Sequence, residues 1–243
     1  MANMLSYIVP AHNEELWIGK CLHSIRTTME KVGEPYEVIV VDDASTDSTL
    51  QIARQTGVRT LRVEHRKISA VRNAGARAAS GEIFFFVDAD TQVNERAVLA
   101  ALTVVRNGAA GGGCVIDLDG PTPLWGRVIL FFAVLLARLI RWVGGCFLFC
   151  TREAYTATGG FSESLYAGED IAFVQALKKA GRFVVLKPTV VTSGRKLNVV
   201  GPWEVAGLML KIAIRGSRYE SKWVLDILYG QRAQDSRKPP NAA

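Results

Sequence analysis

Apolar runs alternate with amphipathic stretches along the first part of the chain, and each run ends in polar residues. Leu5 to Val9 predicts a short strand, broken by Pro10-Ala11-His12-Asn13-Glu14 before Trp17, Ile18, Cys21, Leu22 and Ile25 recur on one helical face. Tyr36 to Val41 predicts a second strand that ends at Asp42 and Asp43. Ala44-Ser45-Thr46-Asp47-Ser48 then supplies turn and N-cap residues before a helix around Leu50 and Ile52. Val58 to Val63 predicts a third strand, and Ser69 to Ala79 an alanine-rich helix closed by Ser80-Gly81. The run Ile83 to Val87 suits a strand covered on both faces, and it stops abruptly at Asp88-Ala89-Asp90. Strand and helix alternate four times in about ninety residues, which implies a mostly parallel sheet with helices on both faces.

That topology matters for the acids. The carboxyl ends of parallel strands share one edge, where ligand sites of open α/β sheets lie, so Glu14, Asp43, Asp88 and Asp90 are expected in one cleft. Taken alone, Asp-Ala-Asp is equally a turn, a helix cap or a pair of oxygen ligands for a hard cation.

The second half reads differently. Asn94 caps a helix through Val105, and Ala110 to Asp117 passes through three glycines into a strand. Val128 to Ala137 is an unbroken apolar run, too short to span a bilayer, where about 20 residues are needed. Arg127, Arg138 and Arg141 share one face of that helix, so the stretch Trp125 to Val143 either packs on the sheet with its arginines in water or on a phosphate, or lies on an anionic bilayer. Gly144 to Cys150 predicts a strand, Arg152 to Ala157 a short helix ended by Gly159-Gly160. Glu169 and Asp170 open a helix that ends at Lys178, Lys179 and Gly181, charges that complement the macrodipole whether or not they do chemistry. Two short strands, Phe183 to Leu186 and Thr189 to Thr192, flank Lys187-Pro188. Gly201 to Arg215 predicts a last amphipathic helix, and residues 230–243 a disordered tail.

Composition narrows the class. A chain of 243 residues, 49% hydrophobic and 21% charged, can bury one substantial core. The net charge of +6 is spread out with no aromatic-basic motif, so phosphates or an anionic membrane surface are the expected partners and no nucleic acid is. The four cysteines lack paired C-x-x-C spacing and only three histidines are present, which favours reduced thiols over a zinc site. Met1 to Ser6 shows no signal-peptide pattern, and the expected location is cytoplasmic, with peripheral contact to the inner face of the membrane.

Ile8-Val9-Pro10-Ala11-His12-Asn13-Glu14, Val40-Val41-Asp42-Asp43-Ala44-Ser45-Thr46-Asp47, Arg72-Asn73-Ala74-Gly75, Gly81-Glu82, Asp88-Ala89-Asp90, Gly159-Gly160-Phe161 and Gly168-Glu169-Asp170 occur in order. In combination and spacing this set resembles family 2 glycosyltransferases of the GT-A fold, over nearly all of residues 5–195. The resemblance implies an α/β, Rossmann-like, mostly parallel sheet flanked by helices, as one domain over residues 1–229. Within it, residues 1–110 would form the nucleotide-binding half and 111–229 the acceptor-binding half. It implies transfer of one sugar, with inversion, from a nucleotide-diphosphate sugar to a hydroxyl acceptor that is lipid-linked or part of a cell-envelope glycan. Pro10, Ala11, His12, Glu14, Asp42, Asp43, Arg72, Asp88 and Ala89 would form the nucleotide site. A carboxylate at Asp43 can receive the imide N–H of uracil, which favours UDP. Asp90, with Asp88, would bind Mg2+ or Mn2+ against the diphosphate. Asp170 would be the general base, kept ionised by the helix macrodipole, with Glu169 orienting the loop or touching the acceptor. Arg72 would support either the diphosphate or the Asp-Ala-Asp loop, and Arg195 and Lys196 would sit on a loop that closes on the diphosphate.

The sequence also departs from the family pattern. No histidine follows His65 to serve as a late metal ligand, and Thr192-Ser193 stand near the expected place. The Gln-x-x-Arg-Trp motif of processive polysaccharide synthases is missing, which favours single-sugar transfer. Two other readings stay open: a polyprenyl-phosphate sugar transferase, whose phosphate nucleophile needs no base, and a nucleotide-sugar binding protein without catalysis.

Overall fold

The computed structural model describes residues 4–119, 134–135, 143–165 and 168–194. Most of the Trp125 to Val143 stretch, Arg195, Lys196, the Gly201 to Arg215 helix and the tail 230–243 lie outside the described residues.

In chain order the elements are β1 (Leu5–Ala11), α1 (Ile18–Val32), β2 (Tyr36–Asp43), α2 (Thr49–Gln55), β3 (Arg59–Val63), α3 (Ile68–Ala78) and β4 (Ile83–Val87). They continue with β5 (Thr91–Gln92), α4 (Glu95–Arg106), β6 (Gly111–Asp119), β7 (Phe147–Thr151), α5 (Arg152–Thr158), α6 (Glu169–Ala180) and β8 (Phe183–Ser193). All eight strands form one sheet in the order β3-β2-β1-β4-β7-β6-β8-β5.

The sheet splits its core in two because side chains alternate along each strand. Phe85 and Val87 point into a layer with Ile18, Leu22 and Ile25 of α1 and Val98 and Leu102 of α4. Phe84 and Phe86 point the other way, onto Val71 of α3, Ala154 of α5 and Phe173 and Val174 of α6. Every side chain of β4 is buried, as expected of a strand covered on both faces. Each such aromatic contributes about 1.5–3 kcal/mol of burial. Helix α3 lies close against the sheet because residue 75 is glycine: a Cβ there would stand 2.4 Å from Ile8 Cγ2 and 3.0 Å from Val41 Cγ2.

The parallel expectation holds for β3-β2-β1-β4 and gives way beyond it. β7 pairs antiparallel with both β4 and β6, so the sheet is mixed. This reversal is what brings new chain to the site. Val87, the last residue of β4, pairs with Phe147, the first of β7, so the residues leading into β7 stand beside Asp88. The two short strands expected around Lys187-Pro188 are one strand. β8 runs parallel to β6 with a register jump, Cys114 pairing with Leu186 and Val115 with Thr189, so the proline falls in the irregularity where a ladder donor is dispensable. The two-residue β5 was not expected. It pairs Thr91 with Thr192 and ties the Asp-Ala-Asp turn to the end of β8. Among the described residues, no helix is long and apolar enough to cross a membrane.

Candidate active site

Three loops leave the parallel strands at one edge, and hydrogen bonds sew them together. Asn13 donates its N–H to Ser45 Oγ, Thr46 donates to Asn13 Oδ1, and Glu14 donates its N–H to Thr49 Oγ1 at 2.7 Å. Asp43 Oδ1 accepts from the N–H groups of His65 (2.6 Å) and Arg66 (3.1 Å). Its second oxygen is the one left to receive a ligand N–H. Asn13, Ala44 and Arg66, in the loops that follow β1, β2 and β3, carry φ of 54°, 53° and 50°. Non-glycine residues in this region are strained, and the loop network holds them there. His12 is exposed, with Nδ1 2.6 Å from the Asp43 carbonyl. A carbonyl only accepts, so Nδ1 carries the proton and Nε2 accepts, from Asn13 Nδ2 at 3.4 Å.

Two residues expected in the nucleotide site are buried. The Asp42 side chain is fully buried, accepts from Ser45 N–H and lies 4.0 Å from Arg62 Nε, so it holds the turn after β2. Arg72 is 2% exposed, and its guanidinium nitrogens Nη1 and Nη2 donate to protein groups. Of the two roles open to it in the sequence, support of the Asp-Ala-Asp loop is the one its contacts match. Pro10, Ala11 and Ala89 are buried at or just beyond the strand ends.

Arg72 is the centre of the site. Its Nη2 donates to Asp88 Oδ1 at 2.9 Å and to the Gly145 carbonyl at 3.3 Å, and its Nη1 donates to Glu169 Oε1 at 3.1 Å. Burial alone would lower the guanidinium pKa, but Asp88, Glu169 and Asp170 outweigh it and keep the group charged. The Gly145 N–H donates to Asp170 Oδ2 at 2.9 Å, and Asp88 donates its N–H to the Cys146 carbonyl at 3.2 Å. A single stretch of backbone, Gly145-Cys146, therefore touches Asp88, Arg72 and Asp170. The sequence signals nothing at Gly145; its role follows from the antiparallel entry into β7.

Glu169 and Asp170 begin α6 because Gly168 takes φ 76°, the left-handed turn that glycine adopts without strain. The macrodipole was expected to keep Asp170 ionised. Instead burial raises its pKa, against the opposing pull of Arg72 and of the N–H groups of Ile171 and Gly145. Burial likewise raises the pKa of Glu169, with Arg72 opposing and Asp170 adding to the rise. Both carboxyls thus hold their protons to higher pH than in water.

Asp90 lies across from this cluster. Thr192 Oγ1 donates to Asp90 Oδ1 at 3.3 Å and Ser193 N–H to the Asp90 carbonyl at 3.2 Å, so the threonine stands where a late ligand was looked for. Among the described residues, no group of three or more His, Cys, Asp or Glu is arranged to hold a metal ion. The oxygens present fit a hard cation that completes its shell with phosphate and water, as Mg2+ commonly does, rather than an all-protein cage.

A crossed α/β sheet with acids gathered at the carboxyl edge defines the class, and solved structures agree on the fold. The chain superposes on Pyrobaculum calidifontis mannosyltransferase PcManGT, crystallised with GDP-Man and Mn2+, with TM-score 0.64 at 20% identity, covering 96% of this chain and 70% of that one. It superposes on S. aureus TarS 1-349, crystallised with UDP-GlcNAc, with TM-score 0.62 at 21% identity, covering 96% and 73%. The fold is GT-A, that of nucleotide-sugar glycosyltransferases. The family model for glycosyl transferase family 2 matches residues 6–150, and the chain belongs to that family. Curated relatives include a poly(ribitol-phosphate) beta-glucosyltransferase of Bacillus spizizenii, 38% identical over 103 residues, which are 39% of this chain and 16% of that protein. Another is glycosyltransferase AglE of Haloferax volcanii, 37% identical over 122 residues, 48% of this chain and 38% of that one. The chain thus matches well under half of either relative's length.

Proposed function

We propose that the enzyme transfers one sugar from a nucleotide-diphosphate sugar, UDP-linked in preference, to a hydroxyl acceptor with inversion, using Asp170 as base. The observation that carries this reading is the Arg72 bridge. It draws the carboxylate at the end of β4 and those at the start of α6 into one cluster, so that a donor side and an acceptor side meet.

In this mechanism, the loops after β1 and β2 hold the nucleoside, with Asp43 Oδ2 as an acceptor for its N–H or O–H groups and His12 held against the Asp43 carbonyl at the same edge. Asp90, oriented by Thr192, and Asp88 would hold a divalent cation. When bound, Mg2+ or Mn2+ supplies positive charge against the leaving diphosphate. Asp170 takes the acceptor hydroxyl proton as that oxygen attacks the anomeric carbon from the face opposite the diphosphate. The carbon–oxygen bond to the diphosphate breaks, and the diphosphate departs with the electron pair. Gly145 N–H holds Asp170 at one oxygen, and Glu169 stays bonded to Arg72.

The neighbours crystallised with UDP-GlcNAc or GDP-Man and Mn2+ support a nucleotide-sugar donor and a divalent cation here. The arginine-edged stretch Trp125 to Val143 supports an acceptor at an anionic bilayer, tested by co-sedimentation with anionic liposomes at low salt. A thermal-shift panel of UDP-, GDP- and other nucleotide sugars with and without Mn2+ identifies the donor, since a bound ligand raises apparent stability. UDP- or GDP-sugars that leave the melting temperature unmoved at millimolar concentration with Mn2+ would sink the reading.

A further inference from the structure

Beside Arg72, the next residue on α3 makes a second set of contacts that the mechanism above does not use. Asn73 Oδ1 accepts from Phe161 N–H at 2.9 Å and from Tyr155 Oη at 2.8 Å. Its Nδ2 donates to the Phe161 carbonyl at 2.9 Å and to Glu163 Oε1 at 2.8 Å. The amide orientation is set by chemistry: a backbone N–H can only donate and a carbonyl can only accept. Burial raises the Tyr155 pKa to about 12, so its hydroxyl keeps its proton. All four hydrogen-bonding positions of the Asn73 amide are therefore used, and both polar groups of Phe161 are paired to it.

Phe161 sits where this matters. Its ring stacks on Phe173 of α6 at 4.0 Å, meets Phe86 of β4 edge-on at 4.9 Å, and lies 5.2 Å under the Arg72 guanidinium. Phe173 is on the helix that begins with Glu169 and Asp170. Phe86 lies two residues before Asp88. The segment from Gly159 to Glu163 is thus a strap fastened to α3 through Asn73, with Lys67 Nζ donating to the Glu163 carbonyl and Arg77 Nη1 3.9 Å from Glu163 Oε1. Its phenylalanine touches α3, which carries Arg72, β4, which leads into Asp88, and α6, which begins with Glu169 and Asp170.

We propose that Asn73 is a positioning residue: it latches Phe161 beneath Arg72 and against Phe173, and so fixes the start of α6 relative to the end of β4. This inference deepens the glycosyltransferase reading of the same site. Lys67 and Arg77 reach Glu163, but among the described residues only Asn73 pairs with the backbone of Phe161. Aspartate keeps the shape and both acceptors of Asn73 but turns a carboxylate oxygen toward the Phe161 carbonyl and Glu163, reversing two attractions. Glutamine at position 163 restores one of them, since its NH2 can donate to that oxygen.

The test compares the full-length wild type, Asn73→Asp, Glu163→Gln and the double variant. UDP affinity with Mn2+ is measured by calorimetry and the turnover number by UDP release from UDP-glucose or UDP-GlcNAc without acceptor. Hydrogen exchange is followed across residues 159–172. The expected result for Asn73→Asp is a turnover loss on the order of 10²-fold, the scale of a misplacement of about 1 Å, with UDP affinity retained. Exchange should quicken in 159–172 and not in 83–92, and Glu163→Gln should recover part of both losses in the double variant. Unchanged exchange in 159–172, or exchange that quickens equally throughout with no rescue, overturns the latch. If the wild type releases no UDP, the donor reading falls, and the exchange arm still decides the latch.

Discussion

Arg72 Nη1 donates to Glu169 Oε1 across 3.1 Å and 97 residues of chain, both side chains being almost wholly removed from water. No local sequence rule pairs these two residues. The contact joins α3 to the first turn of α6. Removing one partner of a buried pair leaves an uncompensated charge, at about 3–5 kcal/mol. Arg72→Met, which keeps the bulk but strands Asp88 and Glu169, should lose on that order in urea unfolding. Glu169→Gln, which still accepts a hydrogen bond, should lose less.

Asp170→Asn tests the base. General-base removal typically costs 10²–10⁴-fold, so turnover measured by UDP release should fall in that range while UDP binding persists. Turnover at the wild-type rate would exclude Asp170 as base and favour a nucleophile that needs none.

The raised pKa of Asp170 has two signs to follow. Catalysis needs the ionised form, so turnover should climb with pH along a limb displaced upward from the ordinary carboxylate range near 4. Stability runs the other way. A carboxyl that binds its proton more tightly when folded contributes stability that is whole below its unfolded pKa and is lost as pH rises through the folded one. Asp170→Asn cannot ionise. Its melting temperature should therefore exceed the wild-type value at pH 7, with the difference shrinking toward pH 4.

Asp90→Asn should abolish the Mn2+ dependence of UDP binding, read by calorimetry with metal and with EDTA. Thr192→Val removes only the hydroxyl that orients Asp90 and should weaken that dependence without erasing it. Equal Mn2+ dependence in Asp90→Asn and wild type would move the cation elsewhere.

Gly75→Ala probes the packing of α3 on the sheet. A methyl group would meet Ile8 and Val41 well inside contact distance, and overpacking of a filled core costs about 1–3 kcal/mol. The loss should appear in the urea midpoint. Because α3 carries both Arg72 and Asn73, turnover at saturating donor should fall as well.

Much of this protein was legible from its residue order. The five apolar residues before Asp88 defined a strand buried on both faces, since only such a strand tolerates no polar side chain. Alternation of strands and helices put Glu14, Asp43 and Asp88 at one edge, because parallel strands end together. Asn94 capped α4 as its type and place required. These inferences rest on local chemistry and on periodicity, which a linear sequence carries in full.

Tertiary structure decided the rest. The direction of β7 depends on which edge the chain re-enters, and that is set by packing of distant segments rather than by the strand's own residues. From that direction came the Gly145-Cys146 contact with Asp88, Arg72 and Asp170, which no motif announces. Burial, too, is a property of the folded whole. It enclosed Arg72 and Asp42 among protein groups, raised the pKa of Asp170 where a helix terminus alone would lower it, and left Asn73 all four of its hydrogen bonds.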